Sequence, residues 1–236
     1  MKIFAHRGCS GAYPENTMAA FRAARDLPIE GIELDVHLSK DGELIVIHDE
    51  LVDRTTNGKG FVKDMTIDQL RVLDAGSWMG EEFAGERIPF LSEVLELFVD
   101  THHVINIELK SDIFPYPGMA DQVMTLIRFM ELEERVILSS FDHEVLRYVA
   151  AEYPDIETAC LTMEVMIDFP NYLQQIPAPA AHVFFPTALR RMGHELKAAG
   201  IPVRAFTVNE EMYARMLEDV GVDAIFTDFP EKFLDV

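Results

Sequence analysis

The sequence predicts an α/β fold of the (β/α)8 class, the TIM barrel, on three observations. Strand-like apolar runs alternate with helix-length amphipathic runs along the chain, the pattern of a parallel sheet joined by helical crossovers. At 236 residues the chain suits one large domain, a size at which α/β barrels stand undivided. Ionisable residues gather where the strand-like runs end, the face on which barrels of this class carry their chemistry.

In chain order, the strand candidates are 3–6, 31–36, 44–48, 104–109, 136–140, 158–161, 182–185, 203–208 and 224–227. Helices are expected over 17–26, 91–100, 119–131, 143–152, 189–199 and 210–219. Nine strands are one too many for an eight-stranded ring, and the surplus one identifies itself. Only residues 37–43 separate the second and third runs, too short a link for a helical crossover, and Asp41-Gly42 is a two-residue hairpin signal. The third run is therefore expected to fold back antiparallel on an extension of the second. With Asp41-Gly42 as the loop, Lys40 would face Glu43 and Asp35 would face His48. The stretch 51–89 breaks the alternation. It carries Asn57-Gly58, Gly60, Gly76, Gly80 and Gly85, a short helical piece near 67–73, and the sole tryptophan, Trp78. It is expected to be an insertion at the barrel mouth within a single domain spanning 1–236, and excursions of that length are usually functional.

Composition narrows the partners. With 41 acidic against 20 basic residues, the formal charge of −21 argues against nucleic acid and against docking on anionic lipid. It would also repel an anionic substrate at long range, so a site for one must concentrate positive charge locally. Cys9 and Cys160 make no metal-type pair and read as free thiols in a reducing compartment. The first residues turn polar at Lys2, His6 and Arg7, too soon for a secretory leader, and no apolar run approaches the length of a membrane helix. A cytoplasmic protein without stable membrane anchoring is expected.

The first strand ends in His6-Arg7-Gly8, the second in Glu33-Leu34-Asp35, and the third barrel strand in Glu108-Leu109-Lys110. Residues two apart on a strand point to one side, so Glu33 pairs with Asp35 and Glu108 with Lys110. Three carboxylates converging on one rim repel each other unless something positive sits among them. A hard divalent cation with oxygen ligands, Mg²⁺ or Ca²⁺, suits that place, whereas zinc would more often recruit His or Cys. Taken singly, each motif has an ordinary alternative: a solvated acidic face, a surface histidine or lysine, a hairpin end. Their arrival at one mouth is what carries the argument. His102-His103 lie at the N-terminal end of a strand, the face that serves stability. His37, His143, His182 and His194 have no evident partners in the sequence. The twelve methionines read as core filling, and the acidic run 131–135 as a solvated helix end.

A whole series of motifs then falls into order. His6-Arg7-Gly8, Pro14-Glu15-Asn16-Thr17, Glu33-Leu34-Asp35-Val36, His48-Asp49, Asp53-Arg54-Thr55-Thr56 and Ile88-Pro89 open it. Ile107-Glu108-Leu109-Lys110, Ser140-Phe141, Thr207-Val208-Asn209 and Ile225-Phe226-Thr227-Asp228 complete it. Together they resemble the successive motifs of the glycerophosphodiester phosphodiesterase family along essentially the whole chain, and 51–89 is similar to that family's inserted segment. The resemblance implies a metal held by Glu33, Asp35 and Glu108, His6 and His48 as general acid and base, and Arg7 and Lys110 on the phosphate. Phe206 stands where the family more often has tryptophan, which keeps an aromatic wall against the substrate. Glu15 would support the site or simply open a helix, with Asn16 or Thr17 as its N-cap. The implied reaction is hydrolysis of a small-molecule glycerophosphodiester to glycerol 3-phosphate and an alcohol. Its rivals are a phospholipase C-type lyase or a lysophospholipase D on the same barrel, a metal-dependent aldolase or isomerase, and a metal-binding module without turnover. No interface signature is visible, and homo-oligomerisation stays open.

Overall fold

The computed structural model describes residues 1–234, so the expected 1–236 span ends just outside the described part. Its strands are β1 (Lys2–Ala5), β2 (Gly31–Leu38), β3 (Leu44–Val46), β4 (Val104–Leu109), β5 (Val136–Ser140), β6 (Glu157–Thr162), β7 (Ala180–Phe184), β8 (Val203–Phe206) and β9 (Ala224–Thr227). Eight of them form a closed parallel ring in the order β1, β2, β4, β5, β6, β7, β8, β9, with β1 bonded to both β2 and β9. This is the expected (β/α)8 barrel. The helices are α1 (Met18–Arg25), α2 (Ile67–Arg71), α3 (Leu91–Phe98), α4 (Met119–Phe129), α5 (His143–Glu152), α6 (Phe169–Gln175), α7 (Phe185–Ala188), α8 (Arg191–Ala198) and α9 (Glu211–Asp219). No described helix is long and apolar enough to cross a membrane.

Local chemistry explains where the elements start. Thr17 caps α1, its hydroxyl accepting the Ala20 N–H, and Asp142 caps α5 by accepting the N–H groups of Glu144 and Val145. Helices α6 and α7 were not expected from periodicity. At 7 and 4 residues they are too short to display a 3.6-residue repeat, and each takes a proline in its first turn. The outward residues of the strands, Ile32, Leu34, Val36, Ile105 and Ile107 among them, pack with Leu91, Val94, Leu95 and Phe98 of α3 into the core between ring and helices. Strand β2 is buried along its whole length, so its alternate positions, Glu33, Asp35 and His37, are also withdrawn from water.

The hairpin corrects the expected register. Val36 pairs with Val46, His37 with Ile45 and Leu38 with Leu44. The Ser39 N–H donates to the Glu43 carbonyl at 3.0 Å, leaving a three-residue loop, Lys40-Asp41-Gly42. Gly42 takes φ +89°, the left-handed conformation that three-residue hairpin loops place on glycine. The Ser39 hydroxyl fixes the choice, accepting from the Glu43 N–H while donating to Asp41. Asp35 therefore lies opposite Ile47, whose N–H donates to the Asp35 carbonyl at 3.1 Å, and His48 falls just beyond the pairing. In a strand a one-residue slip exchanges faces, so this register decides which side chains meet the insertion. Ile45 and Ile47 join Val52, Val62, Leu70, Ala75 and Ile88 in an apolar cluster of the excursion's own. We expect Leu70→Ala, which empties a fully buried side chain in that cluster, to destabilise the protein by about 2–5 kcal/mol in urea unfolding.

Candidate active site

The strand ends deliver the expected residues to one mouth. A cavity of about 280 Å³ is lined there by His6, Arg7, Glu33, His48, Glu108 and Phe206, among others. Asp35 and Lys110 join this group through side-chain contacts. The chain leaves β1 with Arg7 at φ +56°, a conformation uncommon outside glycine and here attached to a site. It turns the Arg7 N–H toward Glu33 Oε2, to which it donates at 2.9 Å. The guanidinium donates to Glu15 Oε1 at 2.8 Å, and Nε stands 3.3 Å from Asp35 Oδ2 without the geometry of a hydrogen bond. Gly8 follows at φ +78°, and a Cβ there would come within 2.7 Å of Ala20, so the turn needs glycine to lie against α1.

Both histidines are held the same way. Nδ1 of His6 lies 2.7 Å from Asp228 Oδ1, and Nδ1 of His48 lies 2.7 Å from Asp49 Oδ1. An ionised carboxylate can only accept, so each Nδ1 carries the proton and each Nε2 is the nitrogen left to exchange one. His48 Nε2 sits 3.5 Å from Lys110 Nζ. Burial and the Arg7 charge lower the His6 pKa, while the Asp228 hydrogen bond and charge hold it up in part. Burial would raise Asp228, but the hydrogen bond and charge of His6, with hydrogen bonds from Asn209 and Ser10, bring it down to about 2. The backbone of His48 is anchored as well: His37 Nε2 lies 3.1 Å from the His48 carbonyl.

Glu33, Asp35 and Glu108 each offer an oxygen within 4.8 Å of the others, at exposures of only 4%, 1% and 9%. Burial drives Glu33 and Glu108 upward, and the neighbouring carboxylates push them in the same direction. Burial acts likewise on Asp35, but the charges of His48, Arg7 and Lys110 and a 2.8 Å hydrogen bond from Asn16 hold it well below the usual carboxylate range. Lys110 donates to Glu108 Oε1 at 2.9 Å and stays protonated because Glu108 and Asp35 outweigh its own desolvation. Two cations for three acids leave the cluster short of positive charge, and Asp35 Oδ1 is buried without a partner. An all-oxygen set of this kind fits a hard divalent cation.

Several residues of the site stand in the sequence motifs, but the sequence reading gave them no role of this kind. Asp228 orients His6, and Asn209 in turn donates to Asp228 Oδ2 at 2.7 Å. Arg54, from the excursion, clamps Glu15 at 2.7 and 2.8 Å and Asp49 at 2.8 and 2.9 Å, tying the Arg7 support to the His48 support. Asn16 holds Asp35, while Thr17 alone provides the N-cap. The Asp49 role was signalled by its adjacency to His48; the Asp228 role had no local signal. Phe206 stands edge-on to Phe141 at 6.0 Å and 6.3 Å from Phe184, forming the aromatic wall opposite the charges. Among the described residues, five of the six other histidines have hydrogen-bond partners for their side chains. His102 and His103 lie within hydrogen-bond distance of the carbonyls of Ile29 and Leu27, and His143 bonds Tyr172 and the Leu161 carbonyl.

Comparison with known proteins agrees with this geometry. Residues 6–232 match the model of the glycerophosphoryl diester phosphodiesterase family. The chain is 45% identical over 238 residues to a glycerophosphodiester phosphodiesterase of Bacillus altitudinis, covering 100% of this chain and 97% of that one. It is 43% identical over 234 residues to one from Caldanaerobacter subterraneus, covering 99% and 96%. Among solved structures, an Oleispira antarctica phosphodiesterase in complex with the product sn-glycerol-3-phosphate superposes with a TM-score of 0.88 at 32% identity. That likeness covers 100% of this chain and 96% of the other.

Asp228→Asn is expected to lower the His6 pKa further, since it removes the carboxylate that raises it; NMR titration of the imidazole reads this directly. The depressed pKa of Asp228 means that its contribution to stability is present above about pH 4, its ordinary value, and fades as pH falls through about 2. The stability gap between wild type and the Asn variant should close over that window in acid unfolding.

Proposed function

The chain belongs to the glycerophosphoryl diester phosphodiesterase family of hydrolases, and from that premise we propose that it hydrolyses glycerophosphodiesters to glycerol 3-phosphate and an alcohol by histidine acid–base catalysis. The observation that carries the reading is the pairing of two carboxylate-held histidines with Arg7, Lys110 and a buried carboxylate triad at one mouth. The product held by the Oleispira enzyme supports glycerol 3-phosphate as the product here.

Glu33, Asp35 and Glu108 would hold Mg²⁺ or Ca²⁺, which when bound supplies Lewis-acid polarisation of a phosphoryl oxygen. Arg7 brings a planar fork and Lys110 a point charge to the phosphate oxygens, the local positive charge that an acidic protein needs for an anionic substrate. One histidine takes a proton from the attacking hydroxyl at its free Nε2. The other, protonated, delivers its Nε2 proton to the departing alkoxide. The partner carboxylates Asp228 and Asp49 stabilise whichever imidazolium forms. Attack by water and attack by a glycerol hydroxyl, through a cyclic phosphate, make the same demands on this pair. Phe206 closes the wall facing the phosphate. The whole chain acts as one catalytic domain, with the excursion supplying Arg54 to the mouth. The buried free thiols Cys9 and Cys160 fit work in the cytoplasm on a soluble small molecule.

Glycerol 3-phosphate release from glycerophosphocholine is expected to depend on added Mg²⁺ or Ca²⁺ and to fall by about 10²–10⁴-fold in His6→Ala and in His48→Ala. Release of a cyclic phosphate in place of glycerol 3-phosphate would instead give the lyase reading. The same cations, at about a hundred times their dissociation constant, should stabilise the folded protein by about 2.7 kcal/mol in thermal unfolding. That stabilisation should be absent in Glu33→Ala; if it persists there, the metal assignment is wrong.

A further inference from the structure

The mouth has two chemically opposite halves, and the ring order keeps them apart. His6, Arg7, Glu33, His48 and Glu108 come from the adjoining strands β1, β2 and β4 and the hairpin. The opposite arc, β5 to β9, lines the same cavity with Phe141, Leu161, Met163, Phe184, Phe206 and Phe226. Among the described residues, no charged side chain lines the cavity from that arc. Its polar lining residues are Thr207 and His182; burial and the Arg204 charge keep His182 neutral, and Arg204 donates to its Nε2 at 3.1 Å. The loop after β6 carries further exposed apolar side chains, interleaved with the exposed acids Glu164 and Asp168. Met163 lines the cavity and is itself 53% exposed, and the same loop after β6 then presents Val165 at 48% and Ile167 at 93%.

Resting on the diester-hydrolase reading, we propose that this apolar arc is the subsite for the departing alcohol and that it selects alcohols presenting methyl and methylene groups, including extended alkyl chains, over those presenting hydroxyls or carboxylates. The charged arc holds the phosphate and is where a cation and glycerol hydroxyls belong. The second ester substituent of the phosphate therefore projects toward β5–β8. A hydroxyl-rich or carboxylate-bearing alcohol would lose its water there against phenyl rings and thioether, with few partners in exchange. An alkyl group gains by the same transfer. In the reaction an oxygen–phosphorus bond forms from water, the bond from phosphorus to the alkyl oxygen breaks, and a histidine proton passes to that oxygen. The products are glycerol 3-phosphate and the free alkanol. Val165 and Ile167 would then take the chain beyond the fourth or fifth carbon.

The test compares kcat/KM for the methyl, n-butyl and n-octyl esters of glycerol 3-phosphate and for glycerophosphoglycerol, in wild type and in a Val165→Ser/Ile167→Ser variant. A fully buried methylene corresponds to about fourfold, and a half-buried one to about twofold. The expected result is a rise of that size per methylene from methyl to butyl, with glycerophosphoglycerol below the butyl ester. The further gain from butyl to octyl should shrink toward unity in the double variant, with methyl-ester turnover unchanged. Equal kcat/KM for all four diesters would overturn this inference and leave the parent reading standing. Turnover of 1-butanoyl-glycerophosphocholine, run as a further substrate with its chain on the glycerol, that exceeds that of every alkyl ester would overturn it too by assigning the apolar arc to the other substituent. Turnover of none of them would overturn both.

Discussion

Three carboxylates gathered out of water within 4.8 Å of one another are the constraint on which this site depends. Isolated buried charges of one sign cost several kcal/mol each unless they are paired, and their mutual repulsion adds to that. The fold answers with Arg7 and Lys110 and with the Asn16 hydrogen bond to Asp35, but these leave Asp35 Oδ1 unpaired. The cluster is left short of positive charge, and a hard divalent cation would supply it. The left-handed turn at Arg7 directs its N–H to Glu33 as well.

A second layer fixes the first. Glu15 accepts from both Arg7 and Arg54, and Arg54 also clamps Asp49, so the supports of Arg7 and of His48 form one connected network. Its outer member comes from the excursion after β3, whose apolar cluster packs on Ile45 and Ile47 and whose Arg71 is paired with Glu93 of α3. On the other side of the mouth the network is Ser10–Asp228–Asn209, around His6. Each histidine is thereby oriented through Nδ1 by a carboxylate, His48 by its chain neighbour Asp49 and His6 by the distant Asp228. The charged side chains that line the cavity come from β1, β2, β4 and the hairpin, and the lining from the remaining arc is apolar apart from Thr207 and His182.

The ring, its surplus strand and the excursion were legible in the sequence because each leaves a local signal, a period or a short link, and the acidic pairs at strand ends pointed to the mouth where Glu33, Asp35 and Glu108 gather. The details that failed were those in which two local solutions compete. Asp41-Gly42 suits a two-residue loop, yet Ser39 captures the Glu43 N–H and shifts the pairing by one residue, with Gly42 in the left-handed conformation. Helices α6 and α7 are too short for a period to appear.

What the sequence determined by itself was the class of fold and the inventory of reactive groups, since hydrophobic period and residue type act over a few neighbours. Which groups touch was decided by closure of the ring. His6 and Asp228 stand 222 residues apart and meet because β1 pairs with β9. Arg54 meets Glu15, and Phe206 faces Phe141, only once the excursion and the strands are docked. Contacts of that kind depend on where the chain ends up in space, and no local pattern encodes them.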